Sequence, residues 1–245
     1  MYIDLATTEH SRRALYQLFI SFVQPRPIAF VSTFSAEGVL NLAPFSFYNM
    51  VSATPPVVVF CPSNDRFGRR KDTLINIEAT REFVIATVTE PIAERMNVCS
   101  VEFPHGVSEF EKSGLTPVPA VKVKAMLVEE SPVNMECTLR QVISFGDGPG
   151  NGNAIFGDVV AVHVDEAVLA GAELACDPAK LRAIGRMSGA LYSRTMDRFS
   201  LESIRDPADF EKRGPAKIST AGRGPRRSGR RRSRTCSPRG PGSAR

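Results

Sequence analysis

Between the apolar run that ends at Phe60 and the helix-like segment that begins near Leu74, the sequence concentrates hydroxyl, amide and cationic groups. Ser63 and Asn64 leave a strand-like stretch, and Arg69, Arg70, Lys71 and Thr73 arrive beside a helix start. Cations next to free helix N–H groups suit a phosphate, because the N–H groups point at the anion and the cations add charge-assisted bonds. The plainer reading is a solvated basic loop with an ordinary cap, and this segment alone does not choose between them. A second polar cluster lies in "VSTFSAEGVLNLAPFSF", where Ser32, Thr33, Asn41 and Ser46 interrupt strand-forming sequence. Small polar residues at strand ends let a flat polar ring approach the backbone. Pro44 holds Ala43 extended and removes one ladder donor, as at a sheet edge or bulge.

Familiar catalytic signatures are absent. There is no G-x-G-x-x-G fingerprint, no phosphate-binding P-loop, no G-x-S-x-G elbow and no HExxH. The chain has 3 His. His10 reads as a helix-surface residue and His163 as a structural one among apolar strand neighbours. His105 sits in the loop "FPHGVSEF", from which it can reach a pocket. The 5 Cys are far apart, with no CxxC pair or Cys/His cluster, so neither a disulfide framework nor structural zinc is expected.

The elements that position these residues read mainly as strands. Residues 7–20 carry Leu15, Leu18 and Phe19 in a helix-compatible pattern, with Thr7 or Thr8 as the cap. Residues 27–34 read as a strand, turned at Glu37-Gly38 into a return strand. Further strands are expected at 55–61, 82–88, 121–130, 133–145 and 154–165. Short helices are expected at "DTLINIEATR", with Asp72 as N-cap, and at "EPIAERMNVCS", capped by Thr89. Residues 104–120 read as a long irregular connection. Strand after strand joined by short turns predicts a mainly β fold, an antiparallel split β-barrel with short peripheral helices.

The formal charge of +5 is unevenly distributed. Residues 211–245 hold 12 Lys or Arg and 1 acid, a net of +11, whereas residues 1–210 hold 19 Lys or Arg and 25 acids, a net of −6. Two regions are therefore expected: a globular domain over 1–210 and a disordered Arg/Pro/Gly/Ser-rich tail over 211–245. The tail lacks interleaved aromatics to stack bases, so nucleic-acid binding is expected only weakly and through charge. No stretch approaches the roughly 20 apolar residues of a membrane-spanning helix, and the acidic N-terminus does not read as a leader. A cytoplasmic protein is expected.

Taken in order, these segments resemble the flavin reductase-like family, whose domain is an FMN-binding split barrel. The resemblance rests on "RPIAFVST" at 26–33, "NLAPFSFYN" at 41–49, "PPVVVF" at 55–60 and "KDTLINI" at 71–77. It continues through "HGVSEFEKSGL" at 105–115, "VNMEC" at 133–137, "GDVVAVHVDE" at 157–166 and "IGRMSGALYSR" at 184–194. It implies an FMN-dependent oxidoreductase taking hydride from NAD(P)H. The flavin ring would lie against Ser32, Thr33, Asn41, Ala43 and Ser46. The phosphate would meet Ser63, Lys71 and Thr73, with Arg69 or Arg70. His105 would face the substrate side, and Arg186 with Tyr192 would close the pocket, from the same chain or a partner copy. A homodimer and a monooxygenase partner receiving reduced flavin are also implied. The alternative is a non-catalytic flavin- or haem-binding split-barrel protein.

Overall fold

The N-terminal helix begins later than its apolar pattern suggests. In the computed structural model, which describes residues 1–172 and 174–201, α1 spans Arg12–Phe22. Its cap is Ser11, whose hydroxyl accepts from Ala14 N at 3.2 Å, and not Thr7 or Thr8. Met1–Arg198 form one compact unit. The tail expected over 211–245 lies outside the described residues, and so does the expected boundary at 210.

The hairpin is β1 (Ala29–Phe34) and β2 (Leu40–Phe45), paired so that Thr33 opposes Asn41 and Val31 opposes Ala43. The turn needs Gly38, at φ 85°, and Ser35 ties it by accepting from Glu37 N and Val39 N. There follow β3 (Tyr48–Ala53), β4 (Pro56–Phe60), α2 (Asp72–Thr80) and β5 (Glu82–Thr87). A 3-10 turn at Glu90–Ile92 leads into α3 (Ala93–Val98), and the connection expected to be irregular contains α4 (Glu109–Ser113). Short β6 (Pro117–Val118) and β7 (Leu127–Val128) pair with each other. The long strands β8 (Val133–Ser144) and β9 (Asn153–Val164) form the central hairpin. Beyond them lie α5 (Pro178–Leu181) and the small hairpin β10 (Ile184–Arg186) with β11 (Tyr192–Arg194).

The expected mainly β antiparallel split barrel is not what these strands build. They form a mixed α/β fold whose seven-stranded antiparallel sheet runs β2-β1-β5-β8-β9-β4-β3 and stays open, with β2 and β3 as its edges. Closure would require those edges to exchange ladder bonds. Pro44 deprives β2 of one donor, β3 is bulged between Met50 and Ser52, and α2, α3 and α4 pack against β2. Both faces of the sheet are covered near β1. Phe30 joins Leu42, Ile92, Met96 and Phe110 on one face, while Val31 joins Phe60, Leu74, Ile77, Phe83 and Ile155 on the other. Burying each such side chain stabilises the fold by about 1.5–3 kcal/mol.

Of the strand expected over 121–130, only Leu127–Val128 (β7) forms. Glu136, fully buried on β8, accepts from Val121 N (3.0 Å), Lys122 N (2.5 Å) and Val123 N (2.9 Å), and Glu82 accepts from Lys124 N (2.8 Å). Side-chain carboxylates thus replace a neighbouring strand along this segment. His163 Nε2 lies 2.6 Å from Glu136 Oε1, in keeping with the structural role read for it. Burial works against the Glu136 charge, but His163 and the three N–H groups outweigh it and hold the carboxyl below its usual range.

Candidate functional site

A cleft of about 1050 Å³ opens along β2. Asn41, Ala43 and Phe45 form one wall, Asp65–Thr73 another, and the segment Cys99–His105 a third, with Glu109 reaching in from α4. The first two walls are joined by buried polar side chains. Asn41 Nδ2 donates to Thr33 Oγ1 (3.3 Å) and to Thr73 Oγ1 (3.1 Å), and Asn76 Nδ2 donates to Thr33 Oγ1 (3.1 Å). The hairpin is therefore fixed to the first turn of α2, and its polar residues are explained by this weld as well as by the cleft.

The cleft is rich in cations, and most already have carboxylate partners. Arg69 Nε meets Asp65 Oδ2 at 2.7 Å, Arg70 pairs with Glu78, Lys71 pairs with Glu102, and His105 Nδ1 lies 3.2 Å from Asp72 Oδ2. Asp65 organises the loop: its carboxylate accepts from Phe67 N and Arg69 N, both at 2.8 Å. Burial opposes its charge, but the bonds from Arg69 and Phe67 N prevail and pull its pKa down to about 2. Glu102 is likewise held ionised, first by its bond to Lys71 and then by that cation's charge. Lys71 thus already has a carboxylate partner. Lys71 is the N-cap residue of α2, without a side-chain cap, and Asp72 opens the helix instead of capping it as expected.

Glu109 was not singled out in the sequence. It is buried, its Oε2 accepts from Leu42 N at 3.0 Å, and no cation lies within ion-pair distance among the described residues. Burial is the main reason that its pKa is raised, with nearby Asp72 adding to it. Cys99 beside Glu109 is pushed up to about 11 by burial, so its thiol stays protonated.

The sequence-predicted residues divide into four groups. Asn41, Ala43, Arg69, Lys71, Thr73 and His105 line the one cleft. Ser32 and Thr33 are fully buried neighbours on β1, and strand alternation sends them to opposite faces. Thr33 joins the Asn41 weld, whereas Ser32 shares its face with Phe30 and its hydroxyl has no hydrogen-bond partner. Ser63 forms an isolated bridge with Gly152 away from the cleft lining. Ser46 and Arg186 belong to a separate cluster around buried Arg26. Arg26 Nε donates to Ser46 Oγ at 3.3 Å, the Arg26 and Arg186 backbones pair, and the Arg186 guanidinium stacks 4.5 Å from the Tyr192 ring. Among the described residues no group of His, Cys, Asp and Glu could hold a metal ion, and no helix is long and apolar enough to cross a membrane.

With this geometry in hand, comparison with known proteins assigns the class. Residues 23–185 match the model of the flavin reductase like domain, and the chain belongs to the flavin reductase-like family. Over 200 residues it is 38% identical to an uncharacterised protein of Aquifex aeolicus strain VF5, spanning 82% of this chain and 100% of that one. Among solved structures it is similar to nitrilotriacetate monooxygenase component B from Bacillus cereus. There the TM-score is 0.76 at 31% identity, over 82% of this chain and 98% of the other. Similar too is the 2-nitrobenzoate 2-nitroreductase NbaA of Pseudomonas fluorescens, with a TM-score of 0.74 at 31% identity over 83% and 96%.

Proposed function

We propose that the protein is an FMN-binding oxidoreductase that passes hydride from NAD(P)H to flavin in the cleft along β2. The observation that carries this reading is the joining of the Asn41–Phe45 wall to the cationic first turn of α2 in one cleft. The groups present fit an FMN. Lys71 and Arg69 are the cations for its phosphate, which would take the place of Glu102 beside Lys71. Asn41 and Ala43 border the space for the ring. Bound FMN would supply the hydride acceptor, which the chain's own side chains lack.

The chain's contribution is positioning and charge. Lys71 and Arg69 would neutralise the phosphate, and the Asn41–Thr73 weld would hold the ring wall in register with them. Glu109, whose pKa burial raises, would hold or move a proton at its carboxyl on the cleft lining. His105, on the rim and steadied by Asp72, would meet the nicotinamide or final acceptor. Ser46, Arg186 and Tyr192 lie outside this cleft, and we assign Arg186 to the cleft of a second copy in a homodimer. The likeness to a monooxygenase component B supports delivery of reduced flavin to a separate oxygenase.

The test is anaerobic addition of NADH and then NADPH to flavin-loaded protein. Bleaching of the visible absorbance of oxidised flavin is expected with at least one of them. A stable yellow complex that neither nucleotide bleaches would favour the non-catalytic flavin binder.

A further inference from the structure

The cleft holds one cation without a counter-charge. Arg69, Arg70, Lys71 and His105 each face a carboxylate, but Arg66, on the same lining, has none within ion-pair distance among the described residues. Its influence reaches Glu102 only as the last of several effects on that carboxyl. The Arg66 guanidinium lies 4.8 Å from the Phe67 ring centroid and that of Arg69 lies 5.1 Å from it, while Phe67 remains 65% exposed. A large exposed aromatic clasped by two guanidinium groups is a flat, cationic step.

This step is rigidly built. Asp65 takes the Phe67 and Arg69 amides, Asp65 N donates to Arg69 O at 2.8 Å, and Gly68 turns the chain at φ 83°. A side chain at Gly68 would press on Asp147 O at 3.2 Å, so the loop docks closely on the β8–β9 turn. Asn64 completes that docking: its amide donates to Asn151 O and its side chain to Gly148 O. The loop backbone on either side of Arg66 is therefore tied down, and Arg66 is carried on the cleft lining.

We propose that the Arg66–Phe67 lip binds the adenosine-phosphate end of a dinucleotide, Arg66 taking a phosphoryl group and the cation–aromatic step taking the purine. A guanidinium stacked on a ring still presents its edge donors to a phosphate and a flat face to a base. The shared chemistry is a second phosphoryl group next to adenine. It has two sources: the 5′-pyrophosphate of FAD, or the 2′-phosphate of NADPH. The inference deepens the proposed flavin site, but its measurement does not depend on flavin reduction.

The probes are 5′-ADP and 2′,5′-ADP, titrated calorimetrically into the full chain and into Arg66→Gln and Phe67→Leu variants, with FMN titrated in parallel. At least one ADP should bind the unmodified protein. Arg66→Gln should weaken it about tenfold or more, as expected for one charge-assisted contact, and leave FMN affinity unchanged. Phe67→Leu should weaken the same ADP with a smaller effect. Preference for 2′,5′-ADP that disappears in Arg66→Gln identifies NADPH as the source; equal affinity for the two ADPs, with competition by FAD, identifies FAD. Failure of both ADPs to bind, or equal weakening of FMN and ADP in Arg66→Gln, overturns the proposal. Failure of FMN alone to bind would overturn the flavin site and leave the adenosine lip standing.

Discussion

The Lys71–Glu102 pair gives the sharpest quantitative test of the phosphate corner. Both side chains are partly exposed, at 33% and 58%, so the pair contributes at most about 1 kcal/mol to folding. Replacing Lys71 with Ala should therefore move the melting temperature by no more than about 4 °C. Its effect on FMN should be much larger. A hydrogen bond to a charged group contributes about 1.5–3 kcal/mol, and each 1.4 kcal/mol is tenfold in affinity, so FMN binding should fall about 10- to 150-fold. Riboflavin, which lacks the phosphate, should bind both proteins alike. Glu102→Gln should act in the opposite direction, because it frees Lys71 and removes a negative charge from the anion's path; FMN should bind several-fold more tightly. Thr73 is a poorer target, since its hydroxyl also accepts from Asn41 and its loss would loosen the cleft wall. The assay is quenching of flavin fluorescence during titration, with FMN and riboflavin side by side. If Lys71→Ala weakens riboflavin as much as FMN, or Glu102→Gln weakens FMN, the corner does not hold a phosphate.

Three other outcomes follow from the packing and charges. Glu136→Ala removes the acceptor of three strap amides and should cost about 3 kcal/mol in urea unfolding, with protection of the 121–123 amides lost in hydrogen exchange and that of Lys124, held by Glu82, retained. Because the Glu136 pKa is depressed in the fold, its contribution should be present above the usual carboxylate range and disappear as pH falls through its folded value; the variant's acid-unfolding curve should show this loss already made. The Glu109 pKa is raised, so its contribution is present below the usual range and lost as pH rises through the folded value. Glu109→Gln should hence flatten the fall in melting temperature as pH rises above the usual carboxylate range. Gly157→Ala would place a Cβ 2.3 Å from Phe83 Cζ in the β4–β8–β9 core and should destabilise by about 1–3 kcal/mol, read by thermal denaturation followed by circular dichroism.

The hairpin, α2, β5 and the two long strands were legible because each carries its own local pattern and turn signal. The polar interruptions at Thr33 and Asn41 fall together on one side of the cleft, joined by a hydrogen bond. Ser32 did not belong with them, and strict alternation along β1 would have separated it from Thr33. The segment 121–130 was misleading for a physical reason. Its Val-Lys-Val-Lys start has the period of a strand, but the partner that satisfies its amides is Glu136, a residue on another strand. Barrel closure was equally hidden, since pairing of neighbours along the chain does not determine whether the outermost strands, β2 and β3, meet. The edge strand β3 itself went unread because Met50 and Val51 are exposed and Asn49 and Ser52 break any alternation. Glu109 was hidden by its type: a Glu in a short helix reads as surface until tertiary contact with Leu42 N buries it.

The central claim is that one cleft, walled by Asn41–Phe45 and by the Asp65–Thr73 turn, holds one flavin mononucleotide. Equilibrium titration of FMN into the purified chain, with the complex then passed through gel filtration, tests it most directly. The expected result is saturation at about one FMN per chain, with the visible absorbance co-eluting with protein and lost in Lys71→Ala. FMN that elutes free, or that binds Lys71→Ala as tightly as the unmodified chain, would contradict the claim.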